Sequence, residues 1–172
     1  MEKLNKIFKE LLPYILIVVI VVTIRTFIIT PVRVDGASMD PTLKDGQILL
    51  LSKISNNYKR FDIVVINKNG TRIVKRIIGL PGETLEYKKS RLYINGKIVK
   101  DKINIEIEDF DLKSLYGINT IPEGYYFVMG DNRNNSSDSR DPRIGLIKES
   151  EIKGKPIFRI WPFNSFGTLW WL

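Results

Sequence analysis

Ser38 stands within "GASMDPTL", Gly36 to Leu43, a short way beyond a long apolar run. The frame resembles the turn that exposes a nucleophilic serine, but Asp40 occupies the place of that turn's second glycine, so the local signature fails. A serine hydroxyl of ordinary acidity attacks a carbonyl only when a neighbouring base takes its proton. The chain has no histidine, which removes the usual triad base, and no cysteine, which removes thiolate chemistry and disulfides. Any base for Ser38 must therefore be another residue type.

"TRIVKRIIG", Thr71 to Gly79, reads as a strand. Alternation puts Ile73, Lys75 and Ile77 on one face and Arg72, Val74, Arg76 and Ile78 on the other. Lys75 then admits two readings. Burial among isoleucines penalises the ammonium form and lowers a lysine pKa, in documented cases to ~5–6, leaving an amine able to accept a proton. On an exposed edge, the same side chain lays its stem along the sheet and keeps its charge in water. A third stretch, "GDNRNNSSDSRD" from Gly130 to Asp141, is a turn-rich loop whose Asx and Ser side chains cap their own backbone. It does not fit a calcium loop, because Arg133 falls where the second carboxylate ligand would stand. It could instead supply hydroxyls to a lysine amine.

The elements that must position these residues follow from composition and patterning. A chain of 172 residues with a 44% hydrophobic share suits one folded domain. The net charge of +8 suits nucleic acid or an anionic membrane, and without histidine or cysteine no zinc or copper site is expected. Residues 11–30, "LLPYILIVVIVVTIRTFIIT", match the ~20 residues that cross a bilayer core, with Arg25 near one end where its guanidinium can reach the headgroups. No A-x-A site follows this run, so an anchor is expected rather than a cleaved leader. Lys3, Lys6 and Lys9 precede it, against Arg33 and Lys44 in residues 31–50, which puts residues 1–10 in the cytoplasm and residues 31–172 on the extracytoplasmic side.

Beyond Pro31 the chain is mainly β, with short runs such as "QILLLSKI", "FDIVVINK", "TLEYKKSRLYINGKIV", "GYYFVMG" and "KPIFRIW". Asn95-Gly96 marks a type I′ hairpin, and residues 100–119 read as a polar, acidic surface excursion.

Taken together, the single anchor, "GASMDPTL", "FDIVV", "RIVKRIIGLPGE", "GDNRNNSSDSR" and "GKPIFRIWPF", in this order over nearly the whole chain, resemble type I signal peptidase. That family is a membrane-bound serine protease that removes signal peptides from exported proteins. The resemblance implies a fold of coiled antiparallel sheets, with Ser38 as nucleophile, Lys75 as general base and Ser136 as the hydroxyl that hydrogen-bonds the Lys75 amine. It implies that Arg76 and Asp131 pair to brace the site and that Asp138 and Arg140 support the same loop. It also implies an extended substrate between the strand before Ser38 and the strand carrying Lys75, with Val34, Met39, Leu43, Ile73 and Val74 lining shallow pockets for alanine at the first and third positions before the cut. No cofactor, metal or nucleic acid is implied; the expected partners are signal peptides of exported preproteins and membrane lipid.

Two departures stand out. Gly36 replaces a serine that in some members helps hold the oxyanion, placing more of that load on the Ser38 N–H. Asn134 replaces the aspartate usual in the loop. Trp161 and the tail "FGTLWWL" are expected at the outer membrane surface. Two other readings stand beside this one: a self-cleaving repressor of the Ser/Lys type, which is soluble and carries a DNA-binding segment, and a membrane-tethered binding module with a dead site. The anchor argues against the first, and the joint presence of Ser38, Lys75 and Ser136 argues against the second.

Overall fold

The computed structural model describes residues 2–54 and 57–169, the side chains of residues 2–6 and 8 excepted. Helix α1 runs Glu2–Thr23 and passes through a π-helical turn, Ile24–Ile28, into strand β1, Ile29–Arg33. Together, the end of α1 and this turn give a helical stretch, Lys9–Ile28, long and apolar enough to cross a membrane, with none of it buried against the rest of the chain. The helical segment thus starts before residue 11 and stops short of residue 30. Ile29 and Thr30 are already paired with Ser52 and Leu51, because β1 needs both as its first rungs on β2.

The remaining strands are β2 Ile48–Ser52, β3 Ile63–Lys68, β4 Thr71–Gly79, β5 Leu85–Lys88, β6 Arg91–Ile94, β7 Lys97–Val99, β8 Phe110–Asp111, β9 Tyr125–Met129, β10 Ile147–Lys148, β11 Ile152–Trp161 and β12 Gly167–Thr168. They form two antiparallel sheets. The larger has the order β1-β2-β11-β3-β4-β9-β10, with β12 on β11, and the smaller β7-β6-β5-β8. Gly154 lets β11 cross between its partners, because a Cβ there would collide with the Ser52 carbonyl. One apolar core joins Val32 and Val34 to Leu49 and Leu51 of β2, Val65 of β3 and Val74 of β4, so the β1 end of the curved sheet closes over the β3–β4 hairpin.

The run 85–99 is three strands rather than the single hairpin that Asn95-Gly96 marks. Lys89 and Ser90 both adopt positive φ and make a second tight turn ahead of the Asn95-Gly96 hairpin. Residues 100–119 are also more than a surface excursion. Ile107 and Leu112 are buried in a second core with Tyr87 and Phe127, and Phe110, Leu115 and Ile118 pack against it. The short helix α2, Leu112–Tyr116, lies within the stretch read as an excursion: Asp111 and Ser114 cap each other at its start and Gly117 turns left-handed at its end.

Two of the open backbone edges bear on the site. β1 pairs only with β2, and β9 covers β4 only from Arg76 onward, leaving Thr71–Lys75 without a strand on that side among the described residues. Both edges run towards the segment that holds Ser38.

Candidate active site

The Ser38 segment is a closed loop pinned at its base. The Val34 N–H donates to the Gln47 carbonyl at 2.8 Å and the Gly46 N–H to the Val34 carbonyl at 2.9 Å. Met39 and Leu43 sink into the core and act as its apolar anchors, while Gly36 turns with φ +85°. From the other side, the Asn132 N–H donates to the Ser38 carbonyl at 3.0 Å and its amide to the Ala37 carbonyl at 3.1 Å. The Ser38 N–H itself has no acceptor among the described residues.

Lys75 lies on β4, 3% exposed, with Nζ 2.7 Å from Ser38 Oγ. The exposed-edge reading of this lysine is therefore excluded. Burial lowers its pKa from 10.5 to about 8; Asp138 and Asp131 pull it back up, and Arg140 pushes it down. At 2.7 Å the ammonium donates to Ser38 Oγ, and the neutral amine can accept the Ser38 proton over the same separation.

The neighbouring residue, Arg76, is 1% exposed and forms a two-pronged pair with Asp131: Nε to Oδ1 at 2.8 Å and Nη2 to Oδ2 at 2.5 Å. Its Nη1 donates to the Phe61 carbonyl at 2.8 Å. Asp138 is fully buried; its Oδ2 accepts from the Gly130 N–H at 3.0 Å, and Arg140 donates to both carboxylate oxygens at 2.8–2.9 Å. This pair faces the interior on one side, unlike a surface ion pair.

The hydrogen bond expected between Ser136 and Lys75 is not formed. Ser136 Oγ is buried without a partner, pressed against the Cα of Gly130, while the Lys75 amine is engaged by Ser38. Gly130 has no room for a side chain: a Cβ would strike both Ser136 Oγ and the Ser38 carbonyl. Asn134, in place of the usual aspartate, is exposed and donates to the Glu106 carbonyl at 3.2 Å, so it ties the loop to the preceding excursion through an uncharged bond.

Among the residues expected to line pockets, Val34, Met39, Leu43 and Val74 share one core cluster. Ile73, on the opposite face of β4, packs half-buried against a separate cluster containing Val64, Ile66 and Ile77. Sequence reading missed the support of Arg133. It is 1% exposed, donates to the Tyr87 hydroxyl at 2.7 Å and is paired with Asp101 at 2.9 Å. Asp101 sits in a polar stretch with no local sign of such a role. Asn132 and Gly130 were missed for the same reason, since their work is to fit another segment of chain. Among the described residues no cluster of three or more metal-ligating side chains is found.

The family model described as signal peptidase, peptidase S26, matches residues 7–161. The chain belongs to this family. Curated relatives of this S26 peptidase include signal peptidase I of Bacillus licheniformis, 41% identical with 95% of this chain and 94% of the relative covered. Signal peptidase I T of Bacillus subtilis is 45% identical, covering 88% and 83%. Signal peptidase IB of Staphylococcus aureus is 39% identical, covering 92% and 93%. A crystal structure of a signal peptidase I from Enterococcus faecalis superposes with a TM-score of 0.53 at 40% identity, covering 58% of this chain and 96% of the other.

Proposed function

We propose that this S26 family member is a signal-peptide-cleaving serine endopeptidase in which Ser38 and Lys75 form the catalytic dyad. The observation that carries the roles is the 2.7 Å contact between Ser38 Oγ and a lysine amine whose burial brings it near neutrality. The neutral amine takes the Ser38 proton as Oγ attacks the scissile carbonyl, and the resulting ammonium protonates the departing amine. A water then gives its proton to Lys75, attacks the acyl carbon and releases the new carboxyl terminus with Ser38 restored. The unpartnered Ser38 N–H supplies an oxyanion donor, the more so as Gly36 brings no hydroxyl. Ser136 adjoins the dyad and, with substrate in place, turns its free hydroxyl to the amine; Arg76, Asp131, Asp138 and Arg140 hold the loop that carries it.

The substrate joins as an added strand between the open edges of β1 and β4. Val34, Gly36, Met39, Leu43 and Val74 form the small pocket for the first upstream residue, and Ile73 borders the cleft from the other face of β4. Residues 1–10 lie in the cytoplasm, the apolar helix anchors the chain in the cell membrane, and residues 31–172 face outward. The partners are signal peptides of exported preproteins and the lipid surface.

Lys75→Arg tests this reading. Guanidinium keeps the charge and much of the reach but cannot release its proton at any working pH. With the detergent-solubilised full chain and a signal-bearing precursor, the wild type yields a product shortened after an A-x-A sequence, and the arginine variant loses at least ~10³-fold in rate. Near-normal cleavage by the variant would reduce Lys75 to a structural cation.

A further inference from the structure

Two cavities are lined by residues around the site but not by Ser38 or Lys75 themselves. One, of about 640 Å³, opens beside Ser136 and Arg140. The other, of about 320 Å³, lies at the end of the cleft nearest α1, with Val32, Leu51, Val65 and Ile152 as its apolar lining, Thr30 at one side, and Lys53, Arg72 and Lys153 around it. No carboxylate lines this second cavity. Lys53 Nζ donates to the Thr26 carbonyl at 2.8 Å and Lys153 Nζ to the Ser150 carbonyl at 3.2 Å, bonds that leave the charge uncompensated. Among the described residues, neither lysine nor Arg72 meets a carboxylate at ion-pair distance.

The cavity lies between the two open strand edges, Thr30 and Val32 on β1 facing Arg72 on β4. Both strands run towards the dyad, and β1 begins where the apolar helix ends. A substrate whose apolar segment sits in the same membrane enters from that end, and so runs parallel to both strands. Side chains facing one side recur every second residue. The first residue before the cut then falls at Val34 and Val74, the third at Val32 and Arg72, and the fifth at Thr30.

We propose that the far end of this cavity, beyond Val32 and Arg72, is a charge-selective subsite for the fifth residue upstream of the cut, favouring Asp or Glu and disfavouring Lys or Arg through Lys53 and Lys153. The proposal deepens the reading of the chain as a signal-peptide-cleaving peptidase and rests on it. Small side chains at the first and third positions decide where the cut falls; charge at the fifth sets how readily a given precursor is taken.

The test uses the full chain in neutral detergent and three fluorogenic peptides sharing one A-x-A site and differing only in Glu, Gln or Lys at the fifth upstream position. At low salt, kcat/KM for the Glu peptide should exceed that for the Lys peptide by about fivefold to tenfold, with Gln between, and the gap should shrink in high salt. In the double variant Lys53→Glu/Lys153→Glu the order should invert, while the Gln peptide is still cut after the same A-x-A. Equal rates for Glu and Lys in the wild type, or an unchanged order in the double variant, would overturn the subsite even as A-x-A cleavage upheld the proposed activity.

Discussion

At the level of single residues, the site rests on a lysine the protein destabilises. Lys75 is drawn from 10.5 to about 8 chiefly by burial, so in the unfolded chain it binds its proton at higher pH than in the native state. Stability therefore falls as pH drops from 10.5 towards about 8, and below that range the native state carries the full cost, on the order of 3 kcal/mol at about 1.4 kcal/mol per unit. Lys75→Met should accordingly raise the melting temperature by several degrees at pH 7 while abolishing cleavage, with the gain vanishing above pH 10.5. Thermal unfolding at the two pH values checks this; a lower melting point for the methionine variant at pH 7 would contradict it. Asp138 raises the Lys75 pKa, so Asp138→Asn should move the activity profile to lower pH whatever it does to the plateau rate. Ser38 and Lys75 drew notice as a serine in a turn-like frame and a lysine among isoleucines, but those local patterns left their roles open, and only the order of motifs along the chain assigned them. The missing Ser136–Lys75 bond was not legible, since rotamer choice depends on the Gly130 backbone against which Ser136 lies.

At the level of elements, the dyad is set by where β9 ends and the 130–141 loop begins. Gly130 sits at that junction with Ser38 and Ser136 both against its Cα. Gly130→Ala should force these segments apart, costing about 1–3 kcal/mol of stability and at least ~10²-fold in kcat with little change in KM. Arg76 and Asp131 lock the same junction from inside, and Asp131→Asn should destabilise the fold by about 3–5 kcal/mol because it leaves the guanidinium buried opposite a neutral amide. Denaturant melts of both variants provide the check. Strands β2, β3, β4 and β9 were readable from β-branched runs between turn residues, and the Asn95-Gly96 hairpin from its turn chemistry. The turn at Lys89–Ser90 was not readable, because neither residue type favours positive φ. The excursion at 100–119 misled in a similar way: its acidic composition hides Ile107 and Leu112, whose burial is set by the second sheet.

At the level of the whole molecule, the β11–β12 turn displays an aromatic cluster on the same sheet as β1. Trp161 is 46% exposed and Phe163 75%, with their rings in edge contact, and Phe166, 59% exposed, packs edge-on against Phe158. Trp170 and Trp171, expected at the same surface, lie outside the described residues. Indole rings favour the bilayer interface, so in a Trp170→Phe/Trp171→Phe background lipid-borne quenchers should dim Trp161 in proteoliposomes, and equal fluorescence with and without them would place Trp161 in water. The overall plan, one apolar helix followed by a β domain, was plain from hydropathy and strand runs, whereas the closure of β1 over β3 and β4 is a long-range event that no local pattern carries. The three scales meet in one task of the fold, holding against a serine a lysine that can give up its proton near pH 8. The dependence of kcat/KM on pH, measured with the full chain and an A-x-A peptide, tests it most directly. The predicted curve rises tenfold per pH unit at low pH, levels off with its midpoint near the Lys75 value of about 8, and is absent in Lys75→Arg. A profile flat from pH 6 to 9, or one unchanged in the arginine variant, would contradict the account.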